Sequence, residues 1–209
     1  MEAQKVLTPS KREQQKEARR NAIINAGYQE FALQGFTATK LDDVAVRAGI
    51  GKGTIYLYFD SKETLFQEVI RKNLFPIRDE AQSYAAEFKG TATEHLTSHF
   101  RRMYQALHQD RMPELVQLVM GEGLRFPEIA DFFFREIISS NQELIQGIIK
   151  KGVEDGEFRE SFNAEFTQIL IAPAMVSALW RLQLEKQSPL DIEAYADAHI
   201  EFILRGLKA

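Results

Sequence analysis

The chain has 209 residues, 44% of them hydrophobic, which is enough for a small domain beside a larger one or for one mid-sized domain. It has no cysteine, so a disulfide framework and a thiolate metal site are excluded. The formal charge of −4 argues against a uniformly basic nucleic-acid-binding surface. No apolar run approaches the length of a membrane span, and the N-terminus is polar, so we expect a cytoplasmic protein that has no signal peptide and does not bind membranes.

The first ten residues lack periodicity and are expected to be mobile, and a first helix is predicted after them. Gly35 is expected to end this helix. The basic residues at its start form either a solvated face or a phosphate-contacting face: Lys11, Arg12, Lys16, Arg19 and Arg20. Its inward-facing stripe comprises Ile23, Ile24, Ala26 and Phe31.

Residues 39 to 62 predict two short helices joined by a tight turn. Thr39 is a favourable N-cap for the first, and Gly49 is typical of the left-handed position that follows a last helical turn. Gly51 precedes the second helix, which we expect from about Lys52 to Phe59 with its apolar residues facing inward.

The outward-facing residues of this stretch are cationic, small, hydroxyl-bearing or phenolic. Helix-start N–H groups, a lysine and hydroxyls together favour phosphate, and a short helix fits a DNA major groove. The pattern is that of a helix-turn-helix, whose second helix reads bases. The predicted DNA-binding residues are Thr39, Lys40, Lys52, Gly53, Thr54, Tyr56, Tyr58 and Lys62. Lys52, Thr54 and Tyr56 are expected to reach base edges, and the hydroxyl residues and Lys62 to hold phosphates.

The distribution of charge along the chain also favours DNA binding by the N-terminal part. Residues 1–62 hold 10 basic and 7 acidic residues, and residues 63–209 hold 16 and 23. A basic end on an acidic body suits a DNA-docking domain, although ordinary fluctuation also produces a split of this size.

The motifs of residues 41–66 also resemble the DNA-binding domain of TetR-family transcriptional repressors. They read Leu-Asp-Asp-Val-Ala, then Ala-Gly-Ile, then Gly-Lys-Gly-Thr-Ile-Tyr-Leu-Tyr-Phe, then Ser-Lys-Glu-Thr-Leu-Phe. The sequence departs from the family at Gly51, where Ser is frequent, and at Gly27 and Glu30, where Ala and Leu are usual. The resemblance implies an all-α fold, with a helix-turn-helix domain at residues 1–62 and a helical effector-binding and dimerisation domain at residues 63–209.

The rest of the chain reads as helices. Ser61 is a predicted N-cap for a fourth helix, which Pro76 is expected to kink or end and which a helical segment to Gly90 continues. Later helices are predicted at about 93–109, 113–121, 127–151, 162–185 and 189–207, with a kink at Pro173.

The last two helices are too apolar for a solvated surface, so a second copy of the chain is expected to cover them. TetR-like proteins dimerise through these two helices, and the resemblance implies the same homodimer here. A two-layer monomer core is the alternative. The predicted interface residues are Ile169, Val176, Leu179, Leu182, Tyr195, Ile200 and Ile203.

The middle of the chain is rich in aromatic and soft side chains. Three consecutive phenylalanines, residues 132–134, cannot all face one core, so at least one is expected to line a cavity or a partner. The resemblance implies a pocket for a small apolar or amphipathic effector. Candidate ligand-binding residues are Phe100, Met103, Tyr104, Leu118, Glu122, Arg125, Phe126, Phe133, Met175 and Trp180, each of which also suits a helical core.

No enzyme motif is present, and no cofactor is expected. His95 and His99 stand four residues apart, a metal-ligand spacing, but no third ligand lies near them, so we predict no metal site. We predict a dimeric repressor that a ligand releases from a pseudo-palindromic operator. The alternatives are an activator or co-repressor-dependent regulator, a DNA-binding dimer without an effector, and a small-molecule carrier with a vestigial DNA-binding head.

Overall fold

The computed structural model describes residues 10–208, and within this range the protein is all-α. The expected mobility of the first ten residues falls, apart from Ser10, outside the described residues. The helices are α1 (Lys11–Ala38), α2 (Leu41–Arg47), α3 (Lys52–Ile55), α4 (Lys62–Glu87), α5 (Ala92–Leu107), α6 (Met112–Glu122), α7 (Pro127–Phe133), α8 (Ser139–Glu154), α9 (Gln168–Gln183) and α10 (Ile192–Leu207). A π-helical segment, Phe134–Ile138, joins α7 to α8, and a short 3₁₀ helix, Ala164–Phe166, precedes α9. The strand-type pairing among the described residues is one isolated bridge between Phe158 and Lys208.

The chain divides into two compact units, residues 1–69 and 70–209. The division falls inside α4, seven residues beyond the boundary expected from the sequence. α4 also continues through Pro76 to Glu87, and α9 continues through Pro173 to Gln183.

Aromatic rings form the centre of the first unit. Phe31 and Phe36 stack with centroids 5.7 Å apart, and Phe66 meets each of them edge-on at 5.3 Å. Gly35 has φ +77°, so it interrupts the regular helix where the sequence predicted its end and turns Phe36 into this core.

Two departures from the family pattern have a structural explanation in this unit. A Cβ at Gly27 would lie 2.9 Å from Cδ2 of Leu65, so the glycine permits close approach of α4 to α1. Glu30 is buried, and its carboxylate accepts hydrogen bonds from Arg47 at 2.5 Å and from Gln34 at 2.8 Å.

The second unit has a core in which α5 and α8 pack together and α10 packs on α5. Gly152 of α8 is part of it, and a Cβ there would lie 2.1 Å from Cδ2 of Phe158. This glycine therefore makes room for the aromatic ring that follows the helix. Phe132 and Phe133 are buried and Phe134 is 53% exposed, which confirms that the three rings do not share one core.

Candidate functional site

The first unit carries a helix-turn-helix. Gly49 has φ +67°, the left-handed conformation expected of it, and the N–H of Ile50 donates to the carbonyl of Ala45. α3 begins after Gly51, which provides no side-chain cap. The α-helical part is shorter than predicted, because helical turns rather than regular helix continue it to Phe59, whose N–H donates to the carbonyl of Ile55 at 3.0 Å. Ile55 and Phe59 are buried, and their positions determine which side chains of the segment face outward.

Most of the predicted DNA-binding residues lie at the surface of this unit. Lys40, Lys52, Gly53 and Tyr56 are exposed, and Thr54, Tyr58 and Lys62 are half-buried. Thr39 differs, because it is 1% exposed and its hydroxyl donates to the carbonyl of Gly35 at 2.7 Å. It does not cap α2 either, since Lys40 takes the N-cap position.

Leu57, which was not among the predicted DNA-binding residues, is 80% exposed on the same segment. It stands between two tyrosines and out of helical register with Ile55 and Phe59, and that register predicts an outward position. An exposed leucine at this position suits apolar contact with a thymine methyl group.

Two of the lysines are engaged within the unit. Lys52 Nζ lies 2.8 Å from a carboxylate oxygen of Asp42, and this hydrogen bond, more than the charge of Asp42, raises the pKa of Lys52. Lys62 Nζ donates to the carbonyl oxygens of Phe36 and Thr37 at 2.9 and 3.1 Å and lies 4.6 Å from the Phe36 ring centroid. Lys52 is therefore charged beside an exposed acid, and Lys62 joins the start of α4 to the end of α1.

The second unit encloses a cavity of about 260 Å³ among α4, α5, α6, α8, α9 and the π-helical segment. Three of the predicted ligand-binding residues line it: Met103, Phe133 and Met175. Most of the remaining wall is apolar, and α4 contributes residues from Leu74 to Tyr84. None of these α4 residues was among the predicted ligand-binding residues.

The other predicted ligand-binding residues are not part of the wall. Phe100, Tyr104 and Leu118 are buried in helical packing. The Tyr104 hydroxyl hydrogen-bonds Nδ1 of His199 at 2.9 Å, and the Trp180 indole N–H donates to the carbonyl of Ser188 at 2.7 Å. Glu122, Arg125 and Phe126 belong to the end of α6 and the loop after it, away from the cavity wall.

The predicted interface residues separate into two groups. Ile169 and Val176 are exposed on α9, and Leu179, Leu182 and Tyr195 are half-buried. Ile200 and Ile203, by contrast, are at most 5% exposed because they belong to the core that α10 forms with the protomer's own helices. Phe202 belongs to the same apolar stripe of α10 and is 75% exposed, although it was not among the predicted interface residues. Phe166, just before α9, is 55% exposed and was not predicted either.

Within residues 10–208, no cluster of three or more histidine, aspartate or glutamate side chains has the geometry to hold a metal ion. In the same range, no helix combines the length and apolarity needed to cross a membrane.

A helix-turn-helix unit followed by a helical body with an apolar cavity defines a DNA-binding regulator. Two family models match the chain: residues 23–69 match bacterial regulatory proteins of the tetR family, and residues 94–206 match the C-terminal domain of AefR-like transcriptional repressors. The protein therefore belongs to the TetR family of transcriptional repressors, which confirms the resemblance seen in the sequence. These proteins regulate transcription and are not enzymes.

Relatives and solved structures agree with this assignment. The transcriptional repressor KstR2 of Rhodococcus jostii is 27% identical over 201 residues, which cover 92% of each chain. The FadR regulator of Bacillus subtilis in complex with stearoyl-CoA has a TM-score of 0.74 at 23% identity, covering 89% of this chain and 98% of that one. A regulator from Saccharomonospora viridis in complex with choline has a TM-score of 0.74 at 20% identity, covering 93% and 99%. The same fold thus accompanies ligands of very different chemistry, so the effector has to be argued from this chain's own cavity.

Proposed function

We propose that the protein is a dimeric repressor that a small, largely apolar molecule releases from a pseudo-palindromic DNA operator. DNA binding is assigned to residues 1–62, and effector binding and dimerisation to residues 63–209. Such a repressor acts on the chromosome, in the cytoplasm at the nucleoid. The observation that carries the proposal is α4, one helix that begins directly after the helix-turn-helix and contributes to the cavity wall from Leu74 to Tyr84.

On the DNA side, the exposed segment that begins at Gly51 enters the major groove. Lys52 and Tyr56 reach base edges from this segment, and Leu57 adds an apolar contact. The hydroxyls of Thr54 and Tyr58 bind phosphates. Lys52 leaves Asp42 when it binds DNA, which costs little because the pair is solvent-exposed.

Two copies present two such segments, as a palindromic operator requires. Exposed apolar side chains on α9 and α10 and just before α9 support pairing through the last helices: Phe166, Ile169, Val176 and Phe202. Exposed apolar patches mark interaction sites. The buried Ile200 and Ile203 pack α10 against the protomer's own helices and do not contact the partner.

The effector acts by population shift. A ligand that fits the cavity better in a conformer with α4 displaced moves the two reading segments away from operator spacing. It must bind that conformer more tightly than the DNA-binding one, since equal affinity shifts nothing. A coupling free energy of about 1–3 kcal/mol is typical of such switches.

The experiment is selection of bound fragments from random double-stranded DNA, followed by titration of the selected duplex with and without a library of apolar metabolites. We expect a pseudo-palindromic operator and at least one metabolite that weakens binding by tenfold or more. Tyr56→Ala is expected to lose about 1–3 kcal/mol on that operator. A selected operator that no metabolite affects would support a dimeric DNA-binding protein without an effector, and tighter binding in the presence of a metabolite would support a co-repressor mode.

A further inference from the structure

The charged groups of the cavity wall are all neutralised by partners. Arg102 bonds a carboxylate oxygen of Glu80 at 2.5 Å, and both residues belong to the wall. Arg78 lies 2.8 Å from Asp79 and donates to the carbonyl of Glu136 at 3.2 Å. An anionic ligand would have to displace a carboxylate from Arg102 or Arg78, and a cationic ligand would have to displace a guanidinium from its carboxylate, whereas an uncharged ligand displaces neither.

His99 also lines the cavity, and it differs from the paired charged residues because one of its ring nitrogens has no hydrogen-bond partner in the described part of the chain. It is 7% exposed, and its Nε2 is buried without a hydrogen-bond partner among residues 10–208. Burial lowers the pKa of His99 to about 4, and the neighbouring Asn141 side chain opposes this only in part. The ring is therefore neutral at physiological pH, when one of its nitrogens carries a proton and the other accepts one. A buried polar atom without a partner is unfavourable, and a ligand that pairs it gains affinity.

The π-helical segment lies at the same cavity. Its Ile137 and Ile138 line the wall, and the following Asn141 does so as well. π-helical turns inside regular helices are frequent at functional sites. This irregularity in the backbone is a second observation at the cavity, beside the unpaired imidazole nitrogen, and both point to a ligand in this space.

We propose that the effector is an uncharged, largely apolar molecule that carries a hydroxyl or carbonyl oxygen, and that this oxygen hydrogen-bonds Nε2 of His99. The inference rests on the proposed function, which makes the cavity the effector site. The aliphatic part of the molecule packs against the apolar wall, including Met103 and Met175. Either tautomer of a neutral imidazole serves, since Nε2 donates to a carbonyl in one and accepts from a hydroxyl in the other.

The test is calorimetric binding of four eight-carbon probes to the full-length protein: octanol, octanone, octanoate and octyl chloride. Octanol or octanone is expected to bind most tightly, and octanoate more weakly. In the His99→Leu variant, the favoured oxygen-bearing probe loses about tenfold in affinity, as expected for one buried hydrogen bond, and octyl chloride keeps its affinity. His99→Gln keeps an amide near the position of Nε2 and restores part of the loss.

His108→Leu is the matched control, because His108 is a half-buried histidine that hydrogen-bonds the Ser177 hydroxyl at 2.9 Å and is not part of the cavity wall. It is expected to leave the affinity for octanol unchanged. Tighter binding of octanoate, no binding of any of the four probes, or an equal loss of octanol and octyl chloride in His99→Leu would each overturn the inference. Operator binding is measured in parallel without ligand. Absence of operator binding would refute the proposed function, and the comparison of octanol with octyl chloride would still test the inference about the cavity.

Discussion

Removal of the Lys62 charge distinguishes a DNA-contacting role of this residue from a structural one. The sequence pattern predicts a phosphate contact, but the structure shows an ammonium group held by the carbonyl oxygens of Phe36 and Thr37 and by the Phe36 ring. These carbonyls follow Gly35, where the regular turns of α1 are interrupted. The lysine therefore fixes the end of α1 against the start of α4 within the DNA-binding unit.

The magnitude of this effect follows from the contacts. Hydrogen bonds to a charged group contribute about 1.5–3 kcal/mol each when buried, and a cation–π contact at an exposed site adds about 0.5–1 kcal/mol. Because Lys62 is only half-buried, solvent reduces these contributions. Lys62→Met, which keeps the aliphatic stem, is expected to lower the free energy of unfolding by about 2 kcal/mol.

Two measurements check this prediction: urea unfolding of the full-length protein and the salt dependence of operator binding. The matched control is Lys40→Met, because Lys40 is an exposed lysine of the same unit. The control should change stability by less than about 0.5 kcal/mol and lower the salt slope by roughly one unit. If Lys62→Met instead kept full stability and lowered the salt slope by one unit, the structural role would be refuted and the phosphate contact supported.

Three further changes probe packing and charge. Gly152→Ala should destabilise the protein by about 1–3 kcal/mol in thermal unfolding because its Cβ collides with an aromatic ring, and Gly147→Ala, in open space on the same helix, should stabilise it by up to about 1 kcal/mol; equal effects would contradict the collision. Burial lowers the pKa of His99 from 6.5 to about 4, so the unfolded chain binds a proton that the folded chain does not. Stability should therefore fall by ~2 kcal/mol through this residue between about pH 6.5 and pH 5, and His99→Leu should show a smaller fall; parallel pH profiles would count against it. Arg47→Met leaves the Glu30 carboxylate buried without its cation and should cost about 1–3 kcal/mol in urea unfolding, and Glu30→Leu in the same chain should restore stability. If Glu30→Leu does not restore the stability of Arg47→Met, the loss of stability does not come from the unpaired Glu30 carboxylate alone.

Local signals were read correctly from the sequence where one residue type dominates a backbone conformation. Gly49 takes the left-handed conformation expected of it, and Ser61 accepts a hydrogen bond from the N–H of Thr64 at 3.2 Å, as a helix cap should. The start of α10 was predicted three residues early, because both Ser188 and Asp191 are good caps. The structure uses Asp191, since the backbone of Ser188 is already bonded to Leu184 and to the Trp180 indole.

The cavity was harder to anticipate, because it depends on which helices meet. The aromatic residues of the middle segments suit a core and a pocket equally well, and the structure assigns Phe100 to the core and Phe133 to the cavity wall. The role of α4 in the wall follows from long-range packing that no local pattern reports. Ile200 shows the same limit, since an apolar stripe on a terminal helix does not reveal whether the protomer or a partner covers it.

In the proposed complex, the short segment that opens at Gly51 lies in the major groove of a duplex and is presented twice by a paired body. The most direct measurement is the stoichiometry of the complex between the full-length protein and its selected operator, by analytical ultracentrifugation at low salt. Two chains are expected on each duplex, and Tyr56→Ala is expected to weaken the complex by about 1–3 kcal/mol. A monomer in solution that binds no double-stranded DNA at low salt would contradict it.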